Sequence, residues 1–355
     1  MDYSAKSSNQ KEQNSWLVLR TDRLSLRLDR RVPKALLGLL IVTIAAMIWS
    51  VGQGEYPVPP LDVIRAIFGW PTDHADYAFI VNTLRLPRTL VAWGVGVGLA
   101  IAGTLTQGIT RNPLAAPDII GVNAGAALAA VSLIVVFPNV PIAVLPLASF
   151  VGASVVAMLI YLLAWKGGSA PVRLILIGIG FSLIAGAITN LMITFGNISD
   201  VSQALVWLAG SVYGRSWAQI VAFAPWLVVF GLLSLLLSRE LNVLQMGDDI
   251  ARSLGSRLEW QRGWLLISAV ALSGASVATA GSIGFVGLMA PHIARQIVGP
   301  SHEGLLPTAA LTGGMIVVVA DLLGRLLFAP IELPCGIVTA VIGAPYFLYL
   351  LTRTR

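Results

Sequence analysis

The sequence predicts an all-α polytopic membrane protein, and three observations carry that prediction. The chain of 355 residues is 56 % hydrophobic and only 11 % charged, with a mean hydropathy of +0.82. A soluble domain carries about 25 % charged residues and needs them to cover its surface. The apolar residues gather in runs of roughly 17–25, the length a helix needs to cross ~30 Å of hydrocarbon. Backbone groups cannot stay unpaired in lipid, which leaves helices or a closed barrel. Barrel strands alternate apolar and polar residues, and a run such as "LVVFGLLSLLL" does not.

Ten spans fit the pattern, in order about 35–51, 87–109, 122–137, 142–164, 173–196, 217–237, 263–281, 284–298, 305–328 and 336–352. The first follows a polar, charged tail of residues 1–34 and runs into "VGQGEYPVPP" with no small-x-small cleavage pattern, so it reads as a retained span rather than a signal peptide. Turn-forming stretches separate later spans: "NPLAAPD", "FPNVP", "WKGGSAP", "GNISD" and "ELPCG". The span at 284–298 is short and carries Pro291 beside His292, and Gly281, Gly284 and Gly287 suit a non-helical bend at its start. The domain division is a basic cytoplasmic tail, 1–34, and a ten-helix membrane domain, 35–355.

Positive charge orients the bundle. The net charge is +6 and the isoelectric point about 9.8, which in a membrane protein reflects lysine and arginine held in cytoplasmic loops rather than nucleic-acid binding. With the N-terminus inside, 18 of the 23 lysines and arginines fall in the tail and cytoplasmic loops, eight of them in the tail. That bias sets the topology as N-in and C-in. The five left outside are Arg65, Arg85, Arg88, Arg215 and Arg325.

Arg85 and Arg88 sit in "LRLPRTL", against the rule that governs the rest of the chain. Two readings stand: snorkelling to the headgroups from a helix end, or a docking site for an acidic partner. Pro87 suits the first turn of a helix, where its missing N–H is harmless, and would hold the arginines in a defined relation. Arg325 lies near the outer end of the ninth span with Asp321 four residues earlier on the same face. A local ion pair and a functional role for an intramembrane charge are both open there.

The longest internal cytoplasmic loop, 238–262, contains "GDDIARSLG". Asp248 or Asp249 can cap a short helix and Gly255 can end it in a left-handed turn. Ile250 and Leu254, four apart, form a small apolar face, suited either to lipid and the protein's own bundle or to a partner's groove. No segment matches GxxxxGK[ST] or HExxH, Cys335 is the single cysteine, and His74, His292 and His302 are scattered. No catalytic or metal-ligating set is visible. His292 reads as a packing or backbone-bonding histidine, and the chain as a conduit rather than a catalyst. The tail stretch "RTDRLSLRLDRR" suits a surface-lying amphipathic segment on anionic lipid, or disordered topogenic sequence.

Five motifs in order, "LRLPRTL", "GTLTQGITRNPLAAPDIIGVNAGA", "LNVLQMGDDIARSLG", "GSIGFVGLMAPHIAR" and "ADLLGRLLFAPIELPCGIVTAVIGAPYFLYLL", resemble the permease subunits of iron-siderophore and cobalamin ABC importers, the FecCD family. The likeness runs from about residue 35 to the C-terminus. It implies a type II ABC importer permease in the bacterial inner membrane, working by alternating access beside a second permease, identical or related. Two partner ATPases would hold ATP and Mg, with no cofactor on this chain, and an extracytoplasmic binding protein would deliver the cargo. Carried over position by position, Arg85, Arg88 and Arg325 would receive acidic residues of the binding protein. Leu244, Gly247, Asp248, Asp249, Ile250, Ala251, Leu254 and Gly255 would form the coupling helix gripped by the ATPase.

The fifth span would line the pathway with Ser182, Thr189, Asn190 and Thr194, unless these only bond neighbouring helices. Gly178, Gly180 and Gly186 read as close helix packing. The look of "MGDD" and "IIGVNAGA" points to a ferric siderophore as cargo, with cobalamin and haem as alternatives. An ATP-independent secondary transporter is the rival class; it needs intramembrane acids for ion coupling, and Asp321 alone qualifies.

Overall fold

The computed structural model describes residues 16–21, 24–137, 140–165 and 171–353. Two short strands, β1 (Trp16–Thr21) and β2 (Leu24–Asp29), pair antiparallel with Trp16 opposite Asp29. The tail thus takes a form that neither sequence reading named. The alternation of Leu24, Leu26 and Leu28 with polar neighbours has the period of a strand. Residues 1–15, 22 and 23 lie outside the described residues.

After the two strands the regular elements among the described residues are helices. In chain order the helices are α1 (Arg31–Gly52), the short α2 (Pro60–Ile67), α3 (Asp76–Thr110), α4 (Val122–Val136), α5 (Leu145–Ala164) and α6 (Pro171–Phe195). Then come α7 (Ile198–Leu208), α8 (Trp217–Leu236), α9 (Ser238–Gln245), α10 (Asp248–Ser253), α11 (Leu258–Ala280), α12 (Val286–Val298), α13 (His302–Leu326) and α14 (Cys335–Arg353). Each of the ten expected spans corresponds to one helix: α1, α3, α4, α5, α6, α8, α11, α12, α13 and α14. Eight of them are long and apolar enough to cross a membrane, with α4 and α12 the shorter pair.

α3 is the buried hub, packed against α8, α11, α12 and α13. Lipid supplies no hydrophobic push between helices, so contact depends on backbones that approach closely at small residues. A Cβ on Gly96 would stand 2.2 Å from the Gly313 carbonyl oxygen, and one on Gly103 only 1.9 Å from that of Gly287. Any larger side chain at either crossing forces the helices apart.

α3 begins at Asp76, well before the expected start at 87, because a π-helical turn at Ile80–Arg85 joins the short segment Asp76–Phe79 to the helix from Leu86. Pro87 opens that second α-helical segment without opening the helix, and the widened turn absorbs its missing N–H. α12 begins as the glycines suggested. Residues 281–285 are mostly extended, with left-handed backbone at Gly281 (φ 74°) and Phe285 (φ 66°). Phe285 fits there because its side chain lies where any Cβ on Gly343 would clash, 2.3 Å from the Phe285 Cβ.

Polar contacts separate the two ends. At the outer end Ser211 N–H donates to the Ala280 carbonyl (2.7 Å) and Gly336 N–H to that of Gly210 (3.0 Å). At the inner end Arg295 donates to Gln107 (3.0 Å), and Asn242 Oδ1 accepts from the His302 N–H (3.0 Å). His292 packs its ring against Tyr346 and contacts Gln296.

Candidate functional site

Chemistry-bearing side chains concentrate at the two ends of the bundle. The outer-end arginines are engaged within the chain rather than projecting from it. Arg85 donates to the carbonyls of Val51 (3.0 Å), Gly52 (3.2 Å) and Tyr56 (2.7 Å). The C-terminal carbonyls of a helix have no intrahelical partner, and Arg85 satisfies those of α1. Arg325 does the same from α13, donating to Ser50 O (3.0 Å), Ser50 Oγ (2.7 Å) and Gln53 O (3.1 Å).

Arg88 turns toward Asp321. Its Nε lies 3.2 Å from both carboxylate oxygens, its Nη2 2.9 Å from Oδ1, and its Nη1 donates to Glu332 at 2.9 Å. Its guanidinium also sits 5.5 Å from the Tyr213 ring centroid. Asp321, 3 % exposed, is flanked on its other side by Arg325 Nε at 3.3 Å. A carboxylate this buried needs cationic partners, and two arginines from different helices supply them.

The structure places both side chains on partners within the chain, Arg85 on the carbonyls at the end of α1 and Arg88 on Asp321 and Glu332. Arg88 is 12 % and Arg325 8 % exposed, with donors already committed. The local Asp321–Arg325 pair is present but is half of a four-residue arrangement with Arg88 and Glu332. Its most accessible member is Glu332, 35 % exposed. Arg65 is likewise paired, with Asp62 and Asp73.

At the inner end α9 and α10 lie across the bundle. α10 is punctuated almost as expected: Gly255 N–H donates to Arg252 O and Ser256 N–H to Ala251 O, both at 3.0 Å, with Gly255 left-handed at φ 81°. This is a Schellman ending. The start differs. The cap position is Gly247, without a side-chain cap, and Asp248 is already inside the helix. Its carboxylate goes instead to Arg111 and Arg262, the latter at 2.9 Å.

Arg262 is 1 % exposed at the start of α11. Arg111 ends α3 in the left-handed region (φ 52°), a strained place for a non-glycine residue, and also donates to the Leu244 carbonyl at 3.0 Å. One acidic side chain therefore ties α10 to the ends of two core helices. Sequence reasoning counted Arg111 and Arg262 only as topogenic charge, since residues this far apart show no local spacing signal.

The eight loop positions divide. Ile250 and Leu254 stand 50 % and 64 % exposed, joined by exposed Met246 and Asp249. Leu244 and Ala251 are buried and face the bundle, so they are not available to a partner's surface. Gly247 (φ 112°) and Gly255 contribute backbone conformation.

The four polar side chains of α6 divide as well. Thr189 is buried and bonds back to the Ala185 carbonyl (2.8 Å), and Ser182 is half-buried on the same face. Asn190 and Thr194 are exposed, with Thr194 bonded to the Asn190 carbonyl (2.8 Å). Of the three glycines, only Gly178 marks close packing, where a Cβ would lie 1.7 Å from the Ile119 oxygen. Gly180 and Gly186 have no neighbouring atom within 4 Å.

Eight helices long and apolar enough to cross a membrane, a short helix holding out Ile250 and Leu254 on the inner loop, and a buried charge network at the outer end suit a membrane permease. The model of the FecCD transport family matches residues 40–353, and the chain belongs to that family. It is 46 % identical to the Bacillus subtilis (strain 168) protein named "Probable siderophore transport system permease protein YfhA", over 89 % of this chain and 94 % of that one. It is 43 % identical to the Fe(3+) dicitrate transport system permease protein FecD of Escherichia coli (strain K12), over 86 % and 94 %. A solved metal-chelate type ABC transporter in an inward-facing conformation matches with a TM-score of 0.82 at 31 % identity, covering 90 % of this chain and 99 % of that one. The fold is that of an ABC importer permease, and the protein is a multi-pass inner-membrane protein.

Proposed function

We propose that this chain is the permease subunit of an ABC importer that carries a ferric-siderophore complex inward by alternating access. The observation that carries the reading is α10: two apolar side chains, Ile250 and Leu254, presented to the cytoplasm on a helix anchored to the core through Asp248. Such a face suits the groove of a partner, and the anchor gives a partner's movement a route into α3 and α11. Two ATPases dock there and supply ATP and Mg, while this chain binds no cofactor and hydrolyses nothing. A second permease, identical or related, covers the open face of α6 at Gly180, Gly186, Asn190 and Thr194, and the cargo passes between the two.

On the outer side a binding protein docks through its carboxylates. With Arg88 already bonded to Glu332, an incoming acid exchanges with Glu332 rather than meeting a bare cation. A secondary transporter would need an acid free to bind and release a coupling ion. Asp321 is held between Arg88 and Arg325 and is not free in that sense. Siderophore and ferric dicitrate appear in the names of the relatives, which supports an iron complex as cargo.

The test is ATP-dependent uptake by the reconstituted complex with its binding protein, offered ferric hydroxamate, ferric catecholate, ferric citrate, haem and cobalamin in turn. Uptake of a ferric siderophore above the rest is expected. Preference for cobalamin or haem overturns the cargo, and uptake without ATP overturns the class.

A further inference from the structure

Among the five outer arginines, Arg215 differs from the rest. Arg65, Arg85, Arg88 and Arg325 all have carboxylate or carbonyl partners. Among the described residues the Arg215 guanidinium has none, and its Nε is buried. Burial pulls its pKa down from the ordinary value, with no acid nearby to offset the loss of water.

The side chain lines a cavity of about 680 Å³ at the outer ends of α5, α7, α8 and α11, together with Gln203, Trp207, Phe150, Trp226 and Thr279. A second cavity of about 620 Å³ shares Phe150 and Trp226 and continues to Tyr161, Trp260 and Trp264 near the inner end. The two cavities adjoin at Phe150 and Trp226, whose rings are tilted with centroids 4.5 Å apart, and Trp226 stacks on Phe230 at 5.9 Å; we read them as one groove. Along α8 from Trp217 to Phe230 the two cavities extend about 20 Å at ~1.5 Å per helical residue, longer than the ~15 Å half-thickness of the hydrocarbon core. Its walls adjoin exposed apolar side chains of the spans, Leu147 and Val151 on α5 and Val221 and Val229 on α8. The groove therefore opens sideways along the spans.

We infer that this groove is a binding site for an anionic phospholipid of the outer leaflet, with its phosphodiester on Arg215 and an acyl chain along Phe150 and Trp226. Three features select that occupant. The guanidinium fork matches a phosphate's oxygens bidentately. The cation lacks an internal counter-charge, which an anionic headgroup supplies. The aromatic channel below the charge extends through the hydrocarbon depth, where a soluble anion has nothing to contact and a lipid tail does.

The test is lipid retention by the assembled, purified complex in mixed phosphatidylglycerol and phosphatidylcholine, read by native mass spectrometry. Wild type is expected to keep phosphatidylglycerol in preference, and Arg215→Gln to lower that retention by roughly tenfold with phosphatidylcholine little changed. Arg215→Lys keeps the charge without the fork and falls between. Ala222→Trp, which fills the groove beside Phe150 and Trp226, lowers retention of both lipids and serves if the arginine variants fail to assemble. Unchanged phosphatidylglycerol retention in Arg215→Gln overturns the site. Displacement of the lipid by millimolar inorganic phosphate overturns the lipid and leaves a free-anion site. Loss of binding-protein affinity with normal lipid retention assigns Arg215 to docking instead.

Discussion

Arg88 and Asp321 are 233 residues apart in sequence and meet at the outer end of the bundle, with Arg88 Nη2 2.9 Å from Asp321 Oδ1. The contact joins α3 to α13, and Arg325 on the far side of Asp321 extends it to the end of α1. An arrangement read in the sequence as an outward-facing docking patch is, in the folded protein, a clasp between three helices.

Removing the charge at the centre of that clasp leaves the buried Arg325 guanidinium without its carboxylate partner and Arg88 with Glu332 alone. Asp321→Asn is expected to destabilise the purified protein by about 3–5 kcal/mol, the usual effect of breaking a buried pair from one side. The double variant Arg88→Met/Asp321→Leu should lose less than the two single changes summed, by roughly 1–3 kcal/mol. Thermal unfolding of the detergent-solubilised protein reads both. A double-variant loss equal to the sum of the single losses of Arg88→Met and Asp321→Leu would mean the pair is not coupled.

If a binding-protein carboxylate exchanges with Glu332, removing the resident acid should help the incomer. Glu332→Gln is expected to raise binding-protein affinity roughly threefold, about 0.6 kcal/mol, and Arg88→Glu to abolish docking at low salt. Titration of the labelled binding protein at two ionic strengths checks this. Weaker binding in Glu332→Gln would show that the glutamate holds Arg88 in place rather than competing for it.

At the inner end, contact and transmission should separate. Ile250→Asp/Leu254→Asp removes the exposed apolar face and is expected to abolish ATPase association. Asp248→Asn leaves that face intact but loosens its tie to Arg111 and Arg262, so association and hydrolysis persist while transport per ATP falls about tenfold. Co-purification, phosphate release and uptake, measured on the same vesicles, distinguish these outcomes. Normal coupling in Asp248→Asn would remove the anchor from the mechanism.

The packed glycines and the open ones should respond in opposite ways. Gly103→Val drives a side chain into the Gly287 backbone and should prevent accumulation of folded protein. Gly178→Val, against the Ile119 carbonyl, should behave similarly. Gly186→Val meets no atom within this chain and should fold normally, with its effect appearing in permease pairing or uptake. Expression level and gel-filtration profile separate the two classes.

Much of this protein was legible without coordinates. Hydropathy located ten helices because a bilayer demands long apolar runs whatever the packing, and charge asymmetry oriented them for a reason that also acts before folding. The exposed pair Ile250 and Leu254 and the left-handed stop at Gly255 followed from local spacing and backbone preference, which the chain carries within a turn or two. The π-turn ahead of Pro87 did not show, because a proline looks alike at a helix start and after a widened turn.

Other features depend on residues brought together from far along the chain. The sequence by itself determined the ten helix positions, the topology, the family and the short punctuated helix on the inner loop. Only the tertiary structure decided that Asp248 reaches Arg111 and Arg262, that Leu244 and Ala251 turn inward, and that Asp321 absorbs the charge of Arg88 while Arg215 is left with none. A buried charge is stabilised by whichever partner the packed helices deliver within about 3–4 Å, and that partner is set by helix crossings such as Gly96 against Gly313. Sequence spacing does not encode those crossings.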